Sequence, residues 1–176
     1  PAVRLEPILQ LRQLDALSDE DMVNFQRLNL LDASSPNPSV ETLLHAFLPH
    51  KFVDHTHADA VVTISNTPSG AERLREIYDD RVVIVPYAMP GFVLAKLIQE
   101  LTRDADWDHL QGLILMSHGI FTFADDARAS YESMIELVSR AEGYLQRSGA
   151  ARVGRLSFAK PNVWMGRDLL VLAELR

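Results

Sequence analysis

An α/β fold, one sheet with helices packed on its faces, follows from two features of this sequence. Short runs rich in β-branched residues, such as Val82-Val83-Ile84-Val85, alternate with stretches whose apolar residues recur at helical spacing. No internal repeat and no linker-like composition divides the 176 residues, a length that makes one domain with a core of its own.

Residues 1–17 are mixed, with a short apolar repeat at Leu9, Leu11, Leu14 and Leu17. Ser18 reads as the N-cap of a helix with an acidic first turn, Asp19, Glu20 and Asp21, running to about Leu31. Ser34-Ser35-Pro36-Asn37-Pro38-Ser39 is loop chemistry. Ser39 then caps a second helix over 40–47, ended by Pro49. Residues 51–57 and 60–64 both read as strand, joined through a histidine pair. Ser69-Gly70 opens a helix to Tyr78, and 82–85 is a strand closed by Pro86. Pro90-Gly91 precedes a helix from Phe92 to about Thr102. Residues 112–118 and 120–123 are strands broken at Gly119. Asp125 is expected to cap the longest helix, to about Gln146, with Gly149 as its stop. Ala127, Tyr131, Met134, Ile135, Val138, Ala141 and Leu145 give it an apolar face, with Tyr131 and Tyr144 as core and boundary residues.

The formal charge is −7 and no lysine/arginine run stands out, which argues against nucleic acid as a partner. The absence of cysteine excludes disulfides and thiolate metal sites, and it fits a reducing cytoplasm. No apolar run approaches the roughly 20 residues of a membrane span, and no signal peptide is visible. The chain begins at Pro1 and closes on an apolar stretch from Leu169 to Leu175, ends of the kind left when a longer chain is cut.

Chemistry concentrates in the histidines. His55 and His57, one residue apart in strand-like sequence, project from one strand face and can chelate a divalent metal without bending the backbone. His118 ends a second strand beside Gly119, and three histidines with an open position are the ligand set of a catalytic zinc site. A chance spacing among six histidines is the competing explanation for the pair, and a satisfied turn histidine that for His118. Glu41, at a helix start, is either a dipole-favoured surface acid or a carboxylate beside the metal. His45 is a surface, core or outer-layer residue, while His50 and His109 fall in charged, loop-like surroundings and read as solvated.

Ser39-Val40-Glu41-Thr42-Leu43-Leu44-His45, Asp54-His55-Thr56-His57-Ala58-Asp59-Ala60 and Ser117-His118-Gly119-Ile120-Phe121, in this order, resemble the class II aldolase/adducin family. The spacing is most similar to the aldolase module of bifunctional rhamnulose-phosphate aldolase/short-chain dehydrogenase proteins, over about Ser18 to Gly149. The resemblance implies an αβα sandwich around a mixed, largely antiparallel sheet, assembled as a homo-oligomer, usually a tetramer. It implies Zn2+, or another divalent metal, on His55, His57 and His118, with Glu41 as acid/base and Ser39 on substrate phosphate. The implied activity is retro-aldol cleavage of a small ketose, a ketose phosphate in the first instance, through a zinc-stabilised enediolate. The same chemistry serves dehydratases, epimerases and decarboxylases, and a non-catalytic adducin-like assembly module is the alternative from outside enzymology. Val40 stands where the aldolases carry a second serine, and no glycine-asparagine phosphate loop precedes Ser18. The tyrosine that such aldolases carry near the C-terminus has no counterpart after Tyr144, and a C-terminal dehydrogenase module is expected beyond this chain.

Overall fold

The structure is a computed structural model that describes residues 1–149. The apolar stretch expected at 169–175 lies outside the described residues. Helix α1 (Leu5–Gln10) leads through a 3-10 turn (Leu11–Gln13) to α2 (Asp19–Leu28), whose cap is Ser18 accepting the Asp21 N–H. Then follow α3 (Thr42–Phe47), β1 (Phe52–Thr56), α4 (Asp59–Ser65), α5 (Gly70–Tyr78), β2 (Val82–Val85) and α6 (Phe92–Leu101). Strands β3 (Gly112–Leu115) and β4 (Gly119–Ala124) precede the long helix α7 (Ala127–Arg147).

The sheet order is β1-β4-β3-β2. β4 pairs antiparallel with both β1 and β3, whereas β2 lies parallel to β3, so the sheet is mixed and largely antiparallel. Alternation along the strands then sends side chains to two separate cores. Leu113, Leu115, Phe121 and Phe123 face a cluster with Ile8, Met22, Leu43, Phe47, Phe92 and Leu94 from α1, α2, α3 and α6. Ile114 and Ile120 face the other, with Val61, Ile64, Leu74, Tyr78, Leu137 and Ala141 from α4, α5 and α7. Helices cover both faces, giving the expected αβα layering.

Four expectations need correction. Residues 60–64 are not a strand but part of α4, because Ala60, Val61, Ile64 and Ser65 recur at helical spacing against the second core and that burial overrides their β-branched preference. The cap of α7 is Asp126, which accepts the Ala129 N–H, while Asp125 accepts the Lys51 N–H across the β1–β4 end of the sheet. The inward face of α7 is Ser130, Met134, Leu137 and Ala141, leaving Tyr131 and Ile135 exposed. Ser130 fixes that rotation: its Oγ–H donates to Asp54 and its carbonyl accepts from Thr122. Finally, His50 is not solvated; it stacks on Phe123 at 4.8 Å with Trp107 edge-on at 5.9 Å. His109 is the exposed one, 3.0 Å from Asp80.

The α5–β2 connection carries a strained residue. Asp79 sits at φ 54° and ψ −131°, a backbone state that favours glycine, within a turn closed by Arg81 N–H to Tyr78 O. Its side chain is exposed and only 3.9 Å from Arg140, a contact worth little. Asp79→Gly is therefore expected to stabilise the chain by about 1 kcal/mol, seen as a melting temperature about 2–4 °C higher. An unchanged or lower melting temperature would show that the turn is not strained.

Candidate metal centre

Three elements bring the candidate ligands together. Strand β1 carries His55 at its end, and His57 follows two residues on, with ring centroids 4.8 Å apart. The turn between β3 and β4 presents His118. Glu41 comes from the turn that opens α3, where Ser39 Oγ accepts the Glu41 N–H, so Glu41 sits at the N-cap rather than inside the first turn.

Register places these residues. His55 lies opposite Phe121 in the β1–β4 ladder, and its ring stacks on Phe121 at 4.0 Å. His55 Nδ1 donates to the Ile120 carbonyl at 2.9 Å. A carbonyl only accepts, so the proton sits on Nδ1 and the Nε2 lone pair points into the group. That Nε2 is buried and, among the described residues, has no hydrogen-bond partner of its own.

All four side chains meet at one point. Glu41 Oε1 lies 2.8 Å from His118 Nε2, 3.1 Å from His55 Nε2 and 3.8 Å from His57 Nε2. The four ligand atoms all fall within 4.8 Å of one another. With metal–nitrogen bonds near 2.05 Å, the edges of a tetrahedron are about 3.3 Å, a value these carboxylate–imidazole distances bracket. The donors are nitrogen and oxygen, and a buried imidazole lone pair is left unmatched. These residues fit a divalent ion. Glu41 is 18% exposed and His57 62%, so the group opens to solvent on the His57 side.

Burial alone would raise the Glu41 carboxyl, but His55, the His118 hydrogen bond and His57 together hold it below its ordinary range. His55 is pushed down chiefly by burial, against the Ile120 hydrogen bond and Glu41. Both directions favour an ionised acid beside a neutral imidazole, the charge states a metal needs.

The supporting residues escaped the sequence. A Cβ on Gly119 would stand 2.5 Å from the Thr56 carbonyl and 3.1 Å from both the His55 and His57 rings, so only glycine lets β4 pass under the pair. Its position directly after His118 was the available signal. Ser117 takes a left-handed φ of 59° to turn His118 inward, and its N–H is caught by Ser65 Oγ at 3.2 Å. Ser65 is buried on α4, and nothing in the local sequence announces it. The His45 ring packs edge-on against Phe121 at 5.5 Å, and its backbone N–H bonds the Glu41 carbonyl at 3.2 Å. Ser39 borders a cavity of about 350 Å3 with Pro38, Thr42 and His45.

Residues 10–145 match the class II aldolase and adducin N-terminal domain. The chain belongs to this family. Within it, the N-terminal class II aldolase domain of a conserved protein from Thermoplasma acidophilum is 40% identical, with a TM-score of 0.73 over 81% of this chain and 65% of that one. An uncharacterized oxidoreductase of Bacillus subtilis (strain 168), YuxG, is 38% identical over 143 residues. The match covers 81% of this chain but 20% of the relative, so this chain spans about one fifth of the length of the curated relative it matches. A sugar-phosphate aldolase from Thermotoga maritima shares the fold at 19% identity and a TM-score of 0.52, over 64% of this chain and 53% of its own.

Two measurements probe this candidate centre. Ser65→Ala removes the anchor of Ser117 while leaving every ligand in place, and should raise the metal dissociation constant about 10–100-fold. Unchanged metal affinity would show that the turn holds His118 without it. The pKa directions give a second expectation. The depressed His55 and Glu41 make the unfolded chain bind more protons than the folded one, so stability rises with pH. The His55 part is complete above its ordinary 6.5 and is lost as pH falls through its lower folded value. The Glu41 part follows below 4.5. Metal-free melting temperatures should fall on acidification from pH 7, and the lower of the two losses should be absent in Glu41→Gln.

Proposed function

We propose that this chain is a metal-dependent lyase that cleaves a small ketose, phosphorylated in the preferred case, by retro-aldol chemistry. The observation that carries the reading is the convergence of three imidazole Nε2 atoms on Glu41 Oε1. A non-catalytic scaffold would have no use for a buried, unmatched imidazole nitrogen aimed at a carboxylate. Family membership adds support, since class II aldolases supply the nearest chemistry.

In this reading His55, His57 and His118 hold the ion, zinc in the first instance. A divalent ion there supplies Lewis acidity toward the carbonyl and neighbouring hydroxyl oxygens of the ketose. His55 is pre-set for its part by the Ile120 carbonyl, which fixes its tautomer. Glu41 is ionised at neutral pH, and its Oε1, which accepts from His118 Nε2 only while that nitrogen holds no ion, is the atom that takes up or returns a proton at the reacting carbon. Phe121 and Gly119 keep the imidazoles in place from beneath. Ser39, whose Oγ already accepts the Glu41 N–H, has its hydroxyl hydrogen free to donate to a substrate phosphate.

The functional unit is a homo-oligomer in the same reading. The exposed side of the metal group lies at the same end of the strands as the loop after β2, which is joined to the β3–β4 turn through Met116 N–H to Val85 O. That loop and the start of α6 leave Tyr87, Met89 and Val93 exposed, apolar surface that a second copy would cover. A following oxidoreductase module also belongs to the proposal, supported by the much longer relative of Bacillus subtilis.

Incubation of the zinc-loaded chain with a panel of ketose phosphates, following the aldehyde released, tests the activity. Glu41→Gln should keep fold and bound metal yet lose roughly 10²–10⁴ of the rate. His57→Ala should lose metal by elemental analysis. A fully active Glu41→Gln, or a chain that binds metal and cleaves no ketose, would overturn the lyase reading. A monomer in light scattering with full activity would overturn the oligomeric one.

A further inference from the structure

At the opposite end of the sheet, three cationic side chains meet at one cavity with no ion-pair partner among the described residues. The cavity, about 320 Å3, lies among the 3-10 turn, the end of α3 and the C-terminal half of α6. Arg12, Lys96 and Arg103 line it together with Phe47, Leu48 and Trp107. Among the described residues, none of these three cations has a carboxylate within 4.0 Å. Glu100 is the one acid on the wall, and it too stands beyond ion-pair distance of them.

Arginine is seldom drawn into a protein without a partner. Arg12 nonetheless lies 5.0 Å over the Phe47 ring with its Nε closed off from solvent and unbonded. Burial pushes its guanidinium pKa down, the mark of a charge left uncompensated. Lys96 is held in place by a 3.0 Å hydrogen bond from its ammonium to the Arg12 carbonyl. Gln99 Oε1, on the same wall, is likewise buried with no donor among the described residues. Three cations and one acid leave a formal surplus of two positive charges here, in a chain whose net charge is −7. A phosphomonoester carries about −1.5 to −2 at neutral pH and offers the oxygen acceptors that guanidinium and ammonium groups match.

The cavity is separate from the metal group. Glu41 precedes the first residue of α3 and Phe47 is its last, a span of about 9 Å at 1.5 Å per residue. Along β4, Phe123, which touches Trp107, is four residues beyond Gly119, about 13 Å.

We propose that this cavity binds the phosphate group of a small phosphorylated molecule at a second site. Arg12, Lys96 and Arg103 hold the dianion, while Phe47, Leu48 and Trp107 receive the apolar or planar part of the molecule. The inference stands on this pocket alone and does not depend on the lyase reading.

The indole N–H signal of Trp107 in a proton–nitrogen spectrum of the full chain, assigned with Trp107→Phe, reports on the pocket. Inorganic phosphate at constant ionic strength should shift that signal saturably, and phenyl phosphate should saturate it at a concentration lower by about threefold or more. Arg103→Gln, at an exposed position, should weaken the phosphate titration about tenfold. Arg12→Gln should weaken it at least as much; if it fails to fold by circular dichroism, Arg103→Gln carries the test. His57→Ala should leave the titration unchanged, which separates this site from the metal centre. A Trp107 signal that stays still with phosphate, moves equally with sodium chloride, or titrates alike in Arg103→Gln would overturn the proposal. Phenyl phosphate binding no tighter than inorganic phosphate would overturn the role given to Phe47 and Trp107.

Discussion

The β1–β4 register is the constraint on which the candidate centre depends. His55 must face Phe121 for its ring to stack there and for its Nδ1 to find the Ile120 carbonyl. A slip of one residue would send His55 to the other face of the sheet and replace it with Asp54 or Thr56. The register is pinned at several points along the ladder. Lys51 N–H is tied to Asp125 near the far end, and Asp54 accepts from Ser130 on α7 in the middle. Thr122, opposite Asp54, bonds the Ser130 carbonyl. One buried serine thus couples the long helix to both strands that carry the histidine pair and its glycine floor.

Each of the two cores supports a different part of the centre. Leu43, Leu44 and Phe47 seat α3 in the first core, which fixes where Glu41 begins the helix. Val61 and Ile64 seat α4 in the second, which brings Ser65 under the strained Ser117. A left-handed serine costs on the order of 1–3 kcal/mol and persists only where surroundings hold it. The two ends of the β3–β4 turn are held by strand pairing and its middle by α4, so His118 has one orientation toward Glu41. Electrostatics then acts on fixed geometry. A carboxylate drawn partly out of water stays ionised because three imidazoles surround it, and a bound divalent ion would add to the same field.

Much of this was legible in the sequence. Periodicity gave most of the elements, and a strand's two-residue alternation gave the His55–His57 pair as one unit. His118 and Glu41 were candidates whose distance from that pair no local pattern contains, because 77 residues separate Glu41 from His118 and only the folded sheet closes the gap. Where the residues left two explanations for Glu41, the three-block resemblance chose between them and the coordinates place it among the imidazoles.

The misread elements share one cause. Residues 61–64 are all β-branched, and 60–64 look like strand until the second core draws Ala60, Val61 and Ile64 into a helix. Tyr131 looks like core on a helical wheel, yet Ser130, a residue no hydrophobic pattern selects, faces inward because Asp54 and Thr122 wait for it. Asp125 and Asp126 are equivalent as caps by composition, and the Lys51 N–H on a distant segment claims the first. His50 sits in charged sequence but is roofed by Trp107 and Phe123. In every case a partner far along the chain outweighs a local preference worth less than about 1 kcal/mol. The same long-range partners hold the candidate metal ligands. Local sequence therefore names the imidazoles of the centre, and the tertiary contacts around Ser65, Gly119 and Ser130 decide that they meet.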